Sequence, residues 1–109
     1  AALLRQTLDE YVKPTDTIIA GKARGADTLA EQYAMFYNIS FWGFPAEWDK
    51  HGKRAGVLRN ERMLKDAKPD LVIAFAGGRG TQHMTDIALK AGVTVVFVRD
   101  KESIIVKSG

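Results

Sequence analysis

The 109-residue chain has no cysteine. That removes disulfides, thiolate metal sites and cysteine nucleophiles together, and it accords with a reducing compartment. No apolar run approaches the roughly 18 residues of a membrane span, and no charged, apolar and small-residue leader opens the chain. A soluble cytoplasmic protein is therefore expected. One-sided charge is also missing: 16 basic against 13 acidic residues leave a net +3, too little to imply a protein that coats nucleic acid. The two histidines, His51 and His83, have no second ligand at metal spacing, so neither a metal nor a cofactor is expected, and both read as surface or capping residues.

What the chain does have is centred on Leu71 to Met84, LVIAFAGGRGTQHM. The unbroken apolar run Leu71 to Ala76 suits a strand covered on both faces, as parallel sheets require, and places it inside the sheet. Gly77, Gly78 and Gly80 follow, and from Thr81 an apolar stripe at Met84, Ile87, Ala88 and Ala91 predicts a helix. A strand, a glycine loop and a helix make a phosphate-binding geometry. Free amide N–H groups and the positive end of the helix dipole favour an anion there, with Arg79 and the Thr81 hydroxyl as added donors.

The same pattern occurs earlier. Thr17 to Ala20 reads as a strand, GKARGAD (Gly21 to Asp27) as its loop, and Leu29, Ala30, Tyr33, Ala34 and Tyr37 as the stripe of a helix. Gly21 makes the turn and Gly25 allows close approach, while Lys22 and Arg24 bring charge towards a phosphate. Asp27 stabilises the helix through its dipole or accepts from a ligand hydroxyl. Ile39 to Phe44 completes a βαβ unit, and Pro45 stops that strand.

Ahead of these elements, Leu3, Leu4, Leu8, Tyr11 and Val12 predict a helix over about 2–12, ended by Pro14. Residues 45–56, PAEWDKHGKRAG, read as a decorated loop. The next helix runs from about Lys53 or Ala55 to Ala67, with Val57, Asn60, Met63, Leu64 and Ala67 in one arc, Arg59 at its border and Arg62 solvated. A buried amide needs partners, so Asn60 satisfies a neighbouring loop's backbone or meets a ligand. Gly92 suits the end of the helix from Thr81, Thr94 to Val98 is a buried strand, and Ile104 to Val106 is a short edge strand. Alternating strands and helices predict a single α/β domain: a three-layer αβα sandwich with a mainly parallel sheet of four or five strands. In it, loops 21–27, 46–56 and 77–81 share one sheet edge.

GKARGAD, FPAEWDKHGKRAGVLRNERM and AGGRGT together resemble the YspA-like branch of the SLOG superfamily of Rossmann-like domains, over about residues 17–98. Its relatives include the LOG phosphoribohydrolases and the DNA-processing protein DprA. The resemblance implies a Rossmann-like fold and a nucleotide-derived ligand, sensed or processed. LOG enzymes carry PGGxGTxxE, where this chain has Ala76 for the proline and Met84 for the glutamate. Arg59 matches the arginine that works with that glutamate. Cleavage of an N-glycosidic bond would then need another carboxylate, such as Asp27, Asp49 or Glu47. The family also carries a strand and a glycine-serine-arginine loop ahead of its first helix, which this chain lacks. The expectation is a truncated start, or residues 104–109 filling the vacancy.

The ligand-binding candidates are thus Gly21, Arg24, Gly25, Asp27, Trp48, Asp49, Arg59, Asn60, Gly77, Gly78, Arg79, Gly80 and Thr81, with Trp48 stacking on a base. A phosphoribohydrolase-like enzyme is one alternative. The other is a single-strand nucleic-acid binder using Lys50, Lys53, Arg54, Arg59 and Arg62 with Trp48 and Trp42. The expected partner is a nucleotide or nucleotide-derived molecule, with self-association open and no membrane.

Overall fold

The structure, a computed structural model, describes residues 2–22, 25–75, 79–99 and 102–106. The protein is a mixed α/β protein that divides into two compact units, Ala1–Ala46 and Glu47–Gly109. No helix among the described residues is long and apolar enough to cross a membrane.

The first unit opens with α1 (Ala2–Tyr11), whose Leu4, Thr7 and Leu8 face inward. The buried Thr7 hydroxyl donates to the Leu3 carbonyl at 2.8 Å, so it carries no unmet polar group into the interior. Strand β1 (Thr17–Ala20), helix α2 (Ala26–Phe36) and strand β2 (Ser40–Gly43) follow. The two strands are parallel, in a register running from Thr17 opposite Ser40 to Ala20 opposite Gly43. Ile18, Ala34 and Ile39 form the core between helix and strands, with Val12, Ala30, Tyr33 and Phe41 packed around them. Beyond Ala34 the stripe leaves the core, because Met35, Phe36 and Tyr37 are exposed. Asn38 adopts φ 57°, and the Ile39 amide donates to the Ala34 carbonyl at 2.8 Å, so the chain turns straight from helix into strand.

The second unit does not begin with the loop read from the sequence. Trp48–His51 forms a short helix, α3, and Gly52–Arg54 a 3₁₀ turn that leads into α4 (Ala55–Arg62). Polar residues of a single exposed turn have no apolar period to reveal them. Helix α4 continues as a π turn over Met63–Ala67 and ends at Lys68, whose φ is 48°. Ala55 and Asn60 are its buried residues, whereas Val57, placed in the buried arc by a regular 100° step, is exposed.

Strand β3 (Leu71–Phe75), helix α5 (Arg79–Lys90) and strand β4 (Thr94–Arg99) make the second βαβ unit, parallel from Leu71 opposite Thr94 to Phe75 opposite Val98. Helix α5 starts two residues before the apolar stripe predicts. β5 (Glu102–Val106) pairs with β4 in the antiparallel sense, Val96 opposite Ile105.

The expected central position of β3 needs correction. The sheet order is β3, β4, β5, so β4 is the inner strand, and Val95, Val96 and Val98 are its fully buried side chains. β3 has one partner among the described residues and, apart from Ala74, is only half-buried. An apolar run reports the composition of a strand; coverage depends on neighbours that the run does not name. The described strands pair as a two-stranded parallel sheet in the first unit and a three-stranded mixed sheet in the second. Residues 102–106 lie on β4's edge, antiparallel, and so do not act as a parallel first strand within this sheet.

Candidate functional site

At the first glycine loop, β1 delivers a buried Gly21 and α2 begins after Gly25, which takes φ 81° and ψ −120°, a conformation that disfavours a side chain. Asp27 occupies the first turn of α2, where its charge complements the helix dipole. Lys22 departs from its expected role. Its ammonium meets both carboxylate oxygens of Glu31, at 2.8 and 3.0 Å, and lies 6.0 Å from the centre of the Phe41 ring. Its stem rests against Gly43, where a Cβ would come within 2.5 Å of Lys22 Cδ. This cation has a partner on its own unit's helix. Arg24 lies outside the described residues.

In the second unit, α3 holds Trp48 and Asp49 on the surface. The Trp48 ring, 59% exposed, runs beside Gly56: Trp48 Cη2 is 3.6 Å, and Arg59 Nη2 3.9 Å, from where a Gly56 Cβ would stand. An aromatic ring and a guanidinium thus border the same face of α4 at Gly56, at distances where a Cβ would make ordinary contact. Arg62, expected to be only solvated, pairs with Glu47 at 3.2 Å, and Lys50 reaches the same carboxylate at 4.0 Å. These pairs are solvent-exposed and so contribute little to stability.

Asn60 is buried, as its position in the arc requires. It is 4% exposed, and two of its contacts are with side chains: Arg59 Nε donates to Asn60 Oδ1 at 2.9 Å, and Asn60 Nδ2 stands 3.1 Å from His83 Nδ1. The sequence reading missed His83, giving it a surface or capping role. The signal that would have found it was Asn60 itself, since a buried amide demands a polar group on the facing helix. His83 is half-buried on α5, one turn beyond the residues that open the helix. Arg79, Gly80 and Thr81 form that opening, and the Thr81 carbonyl accepts from Thr85 Oγ1 at 2.9 Å. Gly77, Gly78 and the Arg79 side chain lie outside the described residues.

A cavity of about 320 Å³ lies along α3 and α4, with Ala55 and Leu58 in its wall and Glu47, His51, Glu61, Arg62 and Lys65 around them. None of the nominated ligand-binding residues is among those lining it. Among the described residues, no cluster of three His, Asp or Glu side chains is placed to hold a metal ion.

The second unit thus carries a polar cluster between α4 and α5 in a mixed α/β protein. The chain belongs to the family of the Gene 61 protein of Mycobacterium phage D29, with 41% identity over 91 residues, covering 77% of this chain and 72% of that protein. No family model matches the chain. No solved structure matches it either.

Proposed function

We propose that the chain binds a nucleotide or nucleotide-derived ligand at the opening of α5, as a sensor or processing domain of the YspA-like SLOG kind. The observation that carries the reading is the cluster of Arg59, Asn60 and His83, which joins α4 to α5 one turn from that opening. The first amides of an α-helix have no partner within it and favour an anion. Arg59 adds a guanidinium suited to phosphate, and the exposed Trp48 of α3, whose ring borders the same face of α4 at Gly56, offers a ring to a base. Two βαβ units with parallel strand pairs support the Rossmann-like αβα fold, with a mainly parallel sheet, that the resemblance implies.

Binding without turnover is the preferred form, because Met84 stands where the related hydrolases carry their glutamate. The test is a thermal-shift screen over nucleotides and ADP-ribose. A ligand that binds only the native form, present at about 100 times its Kd, adds roughly 2.7 kcal/mol and raises the Tm by several degrees. A flat response across the whole screen would overturn the proposal. The affinity should also fall only shallowly with salt, unlike that of a chain tracking many phosphates.

A further inference from the structure

We infer that Asn60 is a positioning residue that fixes the tautomer of His83, so that His83 offers its Nε2–H as a neutral donor to an acceptor oxygen of the bound nucleotide. The inference rests on the nucleotide-binding proposal above and assigns His83 a role in that site. Arg59 Nε can only donate, so the Asn60 atom facing it at 2.9 Å is the amide oxygen. That leaves the amide nitrogen, which also only donates, facing His83 Nδ1 at 3.1 Å. Two donors do not make a bond, so Nδ1 is bare and the ring proton sits on Nε2. Rotating the amide by half a turn would set Asn60 Nδ2 against Arg59 Nε, so the arginine locks the orientation.

The placement gives this donor a use. Helical side chains lean towards the N-terminus of their helix, so His83, the fifth residue of α5, covers the opening turn. The anion-favouring amides lie in that turn. A neutral N–H beside them adds a directional hydrogen bond and no charge, which suits an oxygen of the sugar, the base or the phosphate.

Two measurements test the inference. In the free protein, nitrogen NMR with histidine label should show His83 with a protonated Nε2 and a bare Nδ1, assigned by loss of the signals in His83→Gln. Asn60→Asp replaces the donor facing His83 with an acceptor and should move the proton to Nδ1. Calorimetry with AMP and ADP-ribose should then show affinity about tenfold weaker in Asn60→Asp and in His83→Leu. His83→Gln, whose amide can accept from Asn60 and donate onward, should recover most of the loss. His83→Leu and His83→Gln leave the buried amide in place, so the binding comparison stands even if Asn60→Asp does not fold. A proton on Nδ1 in the wild type, or unchanged affinity in His83→Leu, would overturn the inference while leaving nucleotide binding intact. Failure of the wild type to bind either probe would overturn the binding proposal and the ligand contact of His83 with it, whatever the tautomer.

Discussion

The two βαβ units are built alike and equipped differently. In each, a small alanine of the helix meets the strands, Ala34 at 1% and Ala88 at 0% exposure. Each helix ends by the same device. The second residue past the turn donates back to that alanine's carbonyl, Ile39 to Ala34 at 2.8 Å and Val93 to Ala88 at 2.9 Å, with Asn38 or Gly92 at positive φ between. The polar groups near the helix openings are where they part. Lys22 is paired with Glu31 of the same unit's helix, whereas in the second unit α4 brings Asn60, itself held by Arg59, against His83 one turn from the start of α5. A strand, a glycine loop and a helix are thus a scaffold shared by both units. What sets the second apart is that its neighbouring helix supplies side chains near the opening, at His83, whereas α1 meets α2 at Tyr33, two turns in.

The shared alanine gives the largest expected effect. Ala34→Asp and Ala88→Asp each place a charge with no counter-ion against apolar strands, at about 3–5 kcal/mol. Urea unfolding should show comparable losses in both, and a loss under ~1 kcal/mol in either would break the equivalence of the two helix-to-strand contacts. Smaller, and purely a matter of backbone, is the termination device. A Cβ at Gly92 would meet nothing within 4 Å, so Gly92→Ala pays only for φ 84°, about 1–2 kcal/mol. Asn38→Gly, the converse change at φ 57°, should be neutral or slightly stabilising. Opposite signs in thermal melts would sharpen the comparison, and equal destabilisation would defeat it.

Much of this scaffold was legible beforehand. β1, β2, β3 and β4 fall within a residue or two of their apolar runs, and Gly92 sits where a helix-ending glycine was expected, because periodicity and glycine chemistry are local properties. The rest depends on partners far along the chain. β4, not β3, is the inner strand because β5 pairs with it, and no feature of Leu71 to Ala76 encodes that pairing. The helical turns at 48–54 escaped because they are exposed and polar. Asn60 was recognised as a buried amide in need of a partner, yet His83, 23 residues away, was not identified as that partner. Gly77, Gly78 and Arg24, central to the sequence argument, lie outside the described residues.

The pairing of Lys22 provides a smaller effect. The Lys22 and Glu31 side chains are both a third or more exposed, so their ion pair is solvent-screened and Lys22→Ala should cost less than about 1 kcal/mol. The same variant should leave nucleotide affinity within about twofold, since the ammonium is already engaged within its own unit. A tenfold loss of affinity would show that Lys22 leaves Glu31 for the ligand, and the contrast between the two openings would then disappear.

The last difference is silent at neutral pH. Tyr33 of α2 donates its hydroxyl to Asp9 Oδ1 of α1 at 2.6 Å. Burial first, and then the hydrogen bond and the negative charge of Asp9, push its pKa from 10.0 up to about 12. The raised value means that the folded state holds the phenolic proton more tightly than the unfolded chain does. Its contribution to stability is therefore complete below about pH 10 and is lost as the pH rises through about 12. Melting temperatures taken across that window should fall in the wild type, and the Tyr33→Phe variant should lack this component of the fall. The other alkaline titrations remain in both proteins, so the difference between the two curves isolates Tyr33. Parallel curves would mean that the hydroxyl is as free to ionise in the folded unit as in the unfolded chain, and that the α1 to α2 contact does not depend on its proton.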